Sequence, residues 1–368
     1  MPLSHAAFED DGLADLPEPR PVHYAEQALL GALLLDPHRL DEIGLLAPGH
    51  FKNPVHSAVF AAMGALPAPD PDRHRTDVAW LGEVLTRARP QAPGLSASYL
   101  HALIAACPSS KHVVTYARMV RADHARRSLR TRAEQLAQTA GNATLPHRVA
   151  ATVAQADSFG QFLDTLTGQF RPHPGSLPRT PPPPVPDRDT GEGALDEERS
   201  LLGAAAAYPD RAREMRWLVP DDFALPLHGA LWQCMNALTH RGDPVDPITL
   251  LWEAQHRDLT RSVSARELMA LVSAPVGSPE HWGEKVVQRA LLHRTHTVAA
   301  RIRAYTDDPS NTTHQLITGS RRALADLTTL RTRWQHTTAH PQPPRAPTRP
   351  RAGPPALTTS PLGTRVSR

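Results

Sequence analysis

The sequence has few cysteines, few lysines and no long apolar run. Its two cysteines, Cys107 and Cys234, lie in different halves, and two are too few for a disulfide framework or a structural zinc site. No apolar stretch approaches the length of a membrane span, and no N-terminal segment has the pattern of a secretion signal. These absences predict a cytoplasmic protein that makes no membrane contact.

The motifs of several enzyme classes are missing as well. A P-loop ends in Gly-Lys-Ser/Thr, because backbone donors and the lysine charge must hold phosphates. None of the three lysines, Lys52, Lys111 and Lys285, follows a glycine. The sequence also contains no His-Glu-x-x-His motif and no Gly-x-Ser-x-Gly elbow. We therefore predict no catalytic, cofactor-binding or metal-binding residues, and we expect the chain to have no enzyme activity of its own.

Proline is abundant, and two short segments hold 16 of its 38 residues. The segment RPHPGSLPRTPPPPVPDRDTG at 171–191 cannot sustain a helix, because proline lacks the backbone donor and fixes its own φ. We interpret it as an extended linker. The other segment is a basic tail with no acidic residue after Asp326 and little apolar material to bury, which predicts disorder. The predicted organisation is a loose N-terminus at 1–21, a first domain at 22–168, a linker at 169–193, a second domain at 194–334 and a disordered tail at 335–368.

The two domains are copies of one sequence. Residues 25–40 read AEQALLGALLLDPHRL, and residues 197–212 read EERSLLGAAAAYPDRA. Residues 26–63 align with 198–235 without a gap. The matched pairs include Glu26 and Glu198, Gly31 and Gly203, Phe51 and Phe223, and His56 and His228. Because the unit is long and occurs twice, the pattern indicates a tandem domain duplication and not a solenoid.

Both copies have the periodicity of helices. The first copy begins with a helix that Pro37 stops, and another helix begins after Asn53, a good N-cap with Pro54 at the first helical position. Farther along, apolar residues recur every three or four positions on two long helices in each copy, which are separated by GNAT at 141–144 and by DDPSNT at 307–312. We therefore predict an all-α fold of two tandem helical domains, each a small helical globule followed by a helical hairpin, joined by the proline-rich linker.

Two kinds of repeated residue allow a functional or a structural interpretation. His56 and His228 could act as ligands or acid–base groups, but we interpret them as packing residues with a satisfied hydrogen bond. Gly31 and Gly203 each cost about 1 kcal/mol of helix propensity relative to alanine. We attribute both glycines to close approach between helices.

The order and spacing of the repeated segments resemble the N-terminal domain of DnaB-type replicative helicases. The first copy carries EQALLGALLLDPHRLDEI, PGHFKNPVHSAVFAAM and YLHALIAACPSSKHVVTYARMVR. The second carries ERSLLGAAAAYPDR, PDDFALPLHGALWQCM and ELMALVSAPVGSPEHWGEKVVQRALL, and it has diverged further from the family pattern. The resemblance implies a helical head and a helical hairpin, which pair with neighbours around a hexameric ring and dock the primase. In that family the motor is a separate RecA-like domain, and this chain lacks the P-loop of such a motor.

The resemblance and the missing motor together predict a protein that acts in DNA replication as a non-catalytic protein-interaction module. Its expected partners are primase, a replicative helicase or a helicase loader, and its hairpins could also self-associate. The alternative is a subunit of a DNA helicase whose ATPase domain is on a separate chain, with the basic tail contacting DNA. A third possibility is a stand-alone DNA-binding protein.

Arginines supply the candidate contact residues. They crowd the long helices, where they could meet an acidic partner or form an ordinary solvated helix face. The partner-binding candidates are Arg126, Arg127, Arg130, Arg294 and Arg301. The nucleic-acid candidates are the tail residues Arg345, Arg349 and Arg351. Because no aromatic residues are interleaved for base stacking, any DNA contact by the tail should be weak, sequence-blind and salt-dependent, and an inert tail is the other interpretation.

Overall fold

The computed structural model describes residues 20–170, 176–261, 263–272 and 277–338, and within this part every regular element is a helix. The predicted all-α fold is therefore confirmed. None of the described helices is both long and apolar enough to cross a membrane. The three tail arginines proposed for nucleic acid lie outside the described residues, as do most of the predicted loose N-terminus and nearly all of the tail.

Five helices form the head of the first copy. They are α1 (Pro21–Leu35), α2 (Pro54–Gly64), α3 (Pro71–His74), α4 (Ala79–Ala88) and α5 (Ala97–Ala105). Helix α1 ends before Pro37, as predicted, because a proline cannot continue the helix. Helix α2 begins at Pro54, and its N-cap Asn53 accepts a hydrogen bond from the backbone N–H of Val55 at 2.8 Å, also as predicted.

Gly31 lies where α1 and α5 come closest. A Cβ atom built on Gly31 would be 2.1 Å from the carbonyl oxygen of Leu103 and 2.9 Å from the Cβ of Cys107. Only a residue without a side chain leaves room for this approach, which explains a glycine in the middle of a buried helix. The prediction of close helix packing at Gly31 is confirmed.

Two long helices form the hairpin of the first copy, α6 (Val113–Gly141) and α7 (Arg148–Gln169). Their apolar positions recur every three or four residues, which places them on one face of each helix. The buried side chains of this face are Ala125, Leu129, Ala133, Leu136, Phe159, Leu163 and Leu166. The break between the helices falls at 142–147, beginning at the predicted GNAT segment.

The second copy repeats this order of elements. Its helices are α8 (Glu192–Ala207), α9 (Pro209–Glu214), α10 (Pro226–Arg241), α11 (Pro247–His256), α12 (Ala265–Val272), α13 (Pro279–Asp307) and α14 (Thr313–Thr338). Helices α8 to α12 form the second head, and α13 and α14 form the second hairpin. Helix α14 continues past residue 334, because Leu330 packs in the core of the second head with Trp334 against it.

Each head has its own apolar core, and the two hairpins share a third. Fully buried residues of α6 and α7 in this shared core meet residues of α13 and α14, among them Val298, Ile302, Leu316 and Ile317. Burying one such aliphatic side chain contributes about 1.5–3 kcal/mol. The two hairpins therefore pack into one four-helix arrangement within a single chain.

The described part of the linker, residues 176–191, contains no helix and lies against the second hairpin. The side chain of Asn311 accepts a hydrogen bond from the backbone N–H of Arg179 at 2.8 Å and donates one to the Thr180 hydroxyl at 2.7 Å. The Thr180 hydroxyl in turn donates to Asp308 at 2.6 Å. These hydrogen bonds fix the linker to the connection between α13 and α14, and the extended conformation of the linker stays a prediction.

Candidate functional site

A buried carboxylate–imidazole pair joins α1 to α2 in the first head. Glu26 and His56 are 1% and 0% exposed, and Nδ1 of His56 lies 2.7 Å from Oε2 of Glu26. The backbone N–H groups of Lys52 and Asn53 donate to the same carboxylate at 2.5 and 3.4 Å. Nε2 of His56 lies 2.8 Å from the Tyr99 hydroxyl. The carboxylate thus satisfies donors at the start of α2, which otherwise have no partner within the helix.

The second head contains the same pair. Nδ1 of His228 lies 2.8 Å from Oε2 of Glu198, and the backbone N–H groups of Ala224 and Leu225 donate to that carboxylate at 2.5 and 3.4 Å. Arg289 adds an ion pair to Glu198 at 3.5 Å. All four side chains of the two pairs are at most 2% exposed, so no substrate reaches them. The prediction that both histidines are packing residues with a satisfied hydrogen bond is confirmed.

The structural role of Glu26 and Glu198 was missed at the level of sequence, although the alignment paired them. The available signal was the identical separation of 30 residues between the glutamate and the histidine in both copies. Two polar residue types that recur at one separation within apolar helices indicate a buried pair, because an isolated buried charge is costly.

The long helices α6 and α13 of the two hairpins correspond position by position. Helices α6 and α13 have the same length, and each buried position of α6 corresponds to a buried position of α13 at one constant offset, that from Val113 to Pro279. The corresponding pairs are Val113 and Pro279, Ala117 and Gly283, Val120 and Val286, Ala125 and Leu291, Leu129 and Thr295, Ala133 and Ala299, Leu136 and Ile302, and Ala140 and Thr306. The chain therefore holds its two copies as an internal pair.

Arg126 connects α6 of the first copy to the end of α13 in the second. Its guanidinium donates to the backbone carbonyl oxygens of Thr306 at 3.0 Å, of Asp308 at 2.7 Å and of Asn311. Thr306 lies in the last turn of α13, and Asp308 and Asn311 follow it. The last carbonyl groups of a helix have no backbone N–H partner within the helix, so a side-chain donor satisfies them. Burial lowers the pKa of Arg126 from its ordinary value. This arginine is engaged within the chain.

The other arginine candidates on the hairpins have different surroundings. Arg130 pairs with Asp307 of the second copy at 2.5 Å, and Arg127 pairs with Asp123 of its own helix at 2.7 Å. Arg301 pairs with Asp326 at 2.8 Å. The side chain of Arg294 forms no hydrogen bond or ion pair with any residue that the structure describes. The structure therefore does not bring the five candidates into one surface, and only Arg294 is without a partner in the described chain.

An exposed apolar stripe lies on α11 of the second head. Ile248 and Trp252 are 66% and 63% exposed, and His256 packs edge-on against Trp252 with ring centroids 5.3 Å apart. These residues are four positions apart and share one side of the helix. At the corresponding positions of the first head, Val78 is exposed but Gly82 stands in place of the tryptophan. The large exposed aromatic side chain is thus specific to the second copy.

The described residues contain no group of three or more histidine, cysteine, aspartate or glutamate side chains suited to a metal ion. Cys234 is buried, and burial raises the pKa of its thiol to about 11. Burial also raises the pKa of the half-buried Cys107 thiol. Neither thiol has the lowered pKa that an activated nucleophile needs.

Comparisons with known proteins agree with the duplicated fold. The family model of the DnaB-like helicase N-terminal domain matches residues 18–122 and 192–286, which are the two heads and the first turns of α6 and α13. The replicative DNA helicase DnaC of Bacillus subtilis (strain 168) is 28% identical over 114 residues, which cover 29% of this chain and 25% of that helicase. The chain thus corresponds to about a quarter of the length of this relative. No solved structure matches the chain.

The two family matches cover more than half of the sequence, and each falls on one of the two heads that share the buried glutamate–histidine pair. The chain therefore belongs to the DnaB-like helicase N-terminal domain family and carries that domain twice.

Proposed function

We propose that this protein acts in DNA replication as a non-catalytic interaction module that binds primase, a replicative helicase or a helicase loader. The observation that carries the proposal is the internal pairing of the two hairpins around a shared core. Two separate chains, each with one copy of the domain, would have to associate to form such a pair. In this protein one linker joins the two copies. Tethering raises the effective concentration of one copy for the other to the millimolar range, so the pair needs no second chain.

The second head offers the side chains that a partner protein would cover. Trp252 and Ile248 are exposed on one side of α11, and aromatic residues are enriched among the residues that dominate binding energy at interfaces. Among the arginine candidates, only Arg294 has a guanidinium without a hydrogen bond or ion pair to a described residue. Arg126, Arg127, Arg130 and Arg301 stay candidates, but each already has a partner within the chain.

The experiment is size-exclusion chromatography with light scattering on the full chain, alone and mixed with the replicative helicase and the primase of the same host. We expect co-elution with one of them at a fixed stoichiometry. The double variant Ile248→Ser, Trp252→Ser should lose co-elution, whereas Val78→Ser at the corresponding position of the first head should retain it. Separate elution of the unmodified chain from both proteins and from the loader would overturn the proposal.

The alternative is a helicase subunit whose ATPase domain is on a separate chain, and it is favoured by the similarity to a replicative DNA helicase. In that case the chain should raise the DNA-unwinding rate of a RecA-like motor that lacks its own N-terminal domain, and removal of residues 339–368 should weaken DNA binding at low salt. If the chain is instead a non-catalytic interaction module in the cytoplasm, removal of residues 339–368 should leave binding of the partner protein unchanged.

A further inference from the structure

A cavity of about 600 Å³ lies at the opposite end of the paired hairpins from the Arg126 contacts. At the offset that relates α6 to α13, Leu292 corresponds to Arg126 and His296 corresponds to Arg130. Accordingly, His296 lies against Gly141 at the end of α6, and a Cβ on that glycine would be 3.2 Å from its Cε1. At the other end of the hairpins the Arg126 guanidinium occupies the space beside the backbone carbonyls. Leu292 has no such group, so a cavity remains beside it.

The cavity is lined by both copies and by the linker. Arg148 begins α7 of the first copy, Arg294 belongs to α13 of the second, and Arg188 belongs to the linker. The volume falls within the range of small-molecule sites, which is about 300–1,000 Å³. A ligand in this cavity would contact three segments that are far apart in sequence.

The cations of the lining are not all neutralised. Arg333 forms a two-pronged pair with Asp222, and Asp326 is paired with Arg301. Arg148 and Arg294 remain half-buried, and neither guanidinium forms a hydrogen bond or ion pair with a residue in the described part of the chain. The three aspartates of the lining that also lack an ion pair, Asp187, Asp189 and Asp221, are exposed to solvent, which screens their charges.

Two histidines, His293 and His296, also line the cavity beside its arginines. Burial lowers the pKa of His293, and the charges of Arg188 and Arg294 lower it further. Burial also lowers the pKa of His296, and the charge of Arg148 adds to that effect. Neutral imidazoles remain beside the arginines, and each can donate or accept one hydrogen bond.

We infer that this cavity binds a small molecule with two or more phosphate groups and about the size of a nucleotide, held by Arg148 and Arg294. The planar guanidinium matches two phosphate oxygens at once, and a hydrogen bond between two charged groups is about twice as strong as a neutral one. An inorganic phosphate would leave most of the cavity empty. Because the ligand contacts both hairpins and the linker, it would stabilise their packing. This inference goes beyond the interaction role and does not depend on it.

The test is isothermal titration of the full chain with ATP, pyrophosphate and inorganic phosphate at low salt. We expect one saturable site per chain for ATP, with weaker binding of pyrophosphate and weaker still of phosphate. The variants Arg148→Gln and Arg294→Gln should each weaken ATP binding by about tenfold or more. The matched control Arg322→Gln, an exposed arginine on α14 outside the cavity, should leave the affinity unchanged.

A second readout is independent of binding heat. ATP at a hundredfold excess over its dissociation constant should raise the melting temperature of the unmodified chain, because a ligand that binds only the folded state stabilises it. The two cavity variants should melt close to the unmodified chain without ATP, since neither guanidinium has a hydrogen bond or ion pair to a described residue that the substitution would remove. Absence of saturable ATP binding in the unmodified chain, or equal ATP affinity in the double variant Arg148→Gln, Arg294→Gln, would overturn the inference. Equal affinities for pyrophosphate and ATP would overturn the assignment of a nucleotide-sized ligand.

Discussion

At the residue scale, buried polar groups position the helices as much as apolar ones do. Glu26 accepts from His56 and from two backbone N–H groups at the start of α2, and Glu198 does the same in the second head. Each carboxylate has several donors, which offsets the cost of removing it from water. Because the glutamate–histidine pair is present in both copies, we interpret it as a structural requirement of the head.

Replacement of Glu26 by alanine should lower the free energy of unfolding by roughly 3–5 kcal/mol, since His56 and two backbone donors then lose their buried acceptor. Urea unfolding followed by circular dichroism measures this loss. The control Glu83→Ala, an exposed glutamate on α4, should change stability by less than about 0.5 kcal/mol. Similar stabilities for the two variants would show that the buried pair is dispensable.

The stability of the chain should also depend on His124. Burial lowers the pKa of His124 to about 4, and the neighbouring His50 and Arg127 contribute. The folded state thus binds this proton less readily than the unfolded chain, in which the histidine pKa is about 6.5. The stability that the neutral His124 side chain contributes to the folded state is fully present above pH 6.5 and is lost as the pH falls toward 4.

We therefore expect the variant His124→Gln to lose less stability than the unmodified chain between pH 7 and pH 4.5, as measured by urea unfolding at each pH. His50, His293 and His296, whose pKa values are also lowered by burial, contribute to the remaining dependence. An unchanged slope in the variant would contradict this assignment.

At the element scale, the separation between helices is set by which side chains are absent. Gly31 lets α1 pack closely against α5. A methyl group at this position would collide with the backbone carbonyl of Leu103, which can move away only if the backbone of α5 moves. Gly82 on α4 is the matched case, because nothing lies within 4 Å of a Cβ built there. Two helical glycines in one head thus have opposite surroundings.

Alanine at these two positions should have opposite effects. Gly31→Ala should lower the free energy of unfolding by about 1–3 kcal/mol through overpacking, whereas Gly82→Ala should raise it by up to about 1 kcal/mol through helix propensity. Thermal unfolding of both variants in the same buffer gives the comparison. A stabilising Gly31→Ala would contradict the close approach of α1 and α5.

Arg126 has the corresponding role between the hairpins. Arg126→Gln should lower the free energy of unfolding by about 2–4 kcal/mol, because three carbonyl groups at the end of α13 lose a charged donor. Arg118→Gln, an exposed arginine on the same helix, should have little effect. Hydrogen exchange at residues 304–311 should accelerate in the first variant only. Unchanged exchange there would show that Arg126 does not hold the two hairpins together.

The helices and their ends were predictable because proline, N-cap residues and apolar spacing act locally. Pro37, Asn53 and the GNAT segment each mark the boundary that the structure has. The contacts of Arg126 were not predictable in the same way, since its partners lie about 180 residues away in the chain. An arginine on a helix has the same local pattern whether it faces solvent or a neighbouring helix.

At the scale of the whole molecule, the duplication explains why the chain needs no second copy of itself to form a domain pair. The sequence predicted the two domains and the extended linker between them, and the resemblance supplied the expectation that such domains pair. It did not predict the cavity beside Arg148, because that space depends on a difference between corresponding positions of α6 and α13, Arg126 and Leu292. The offset that relates these helices differs from the one in the aligned heads, since the connections in the second copy are shorter.

The most direct test of the account is to cut the linker and measure whether the two copies stay together. A protease site inserted between Pro181 and Pro182 allows cleavage in a segment without helix. After cleavage at micromolar concentration, light scattering should still report a particle of about the intact mass of 40.1 kDa, and the variant Ala133→Glu in the shared core should separate into two fragments. Separate elution of the two fragments without that substitution, or an uncut chain of twice the mass, would contradict the internal pairing of the hairpins.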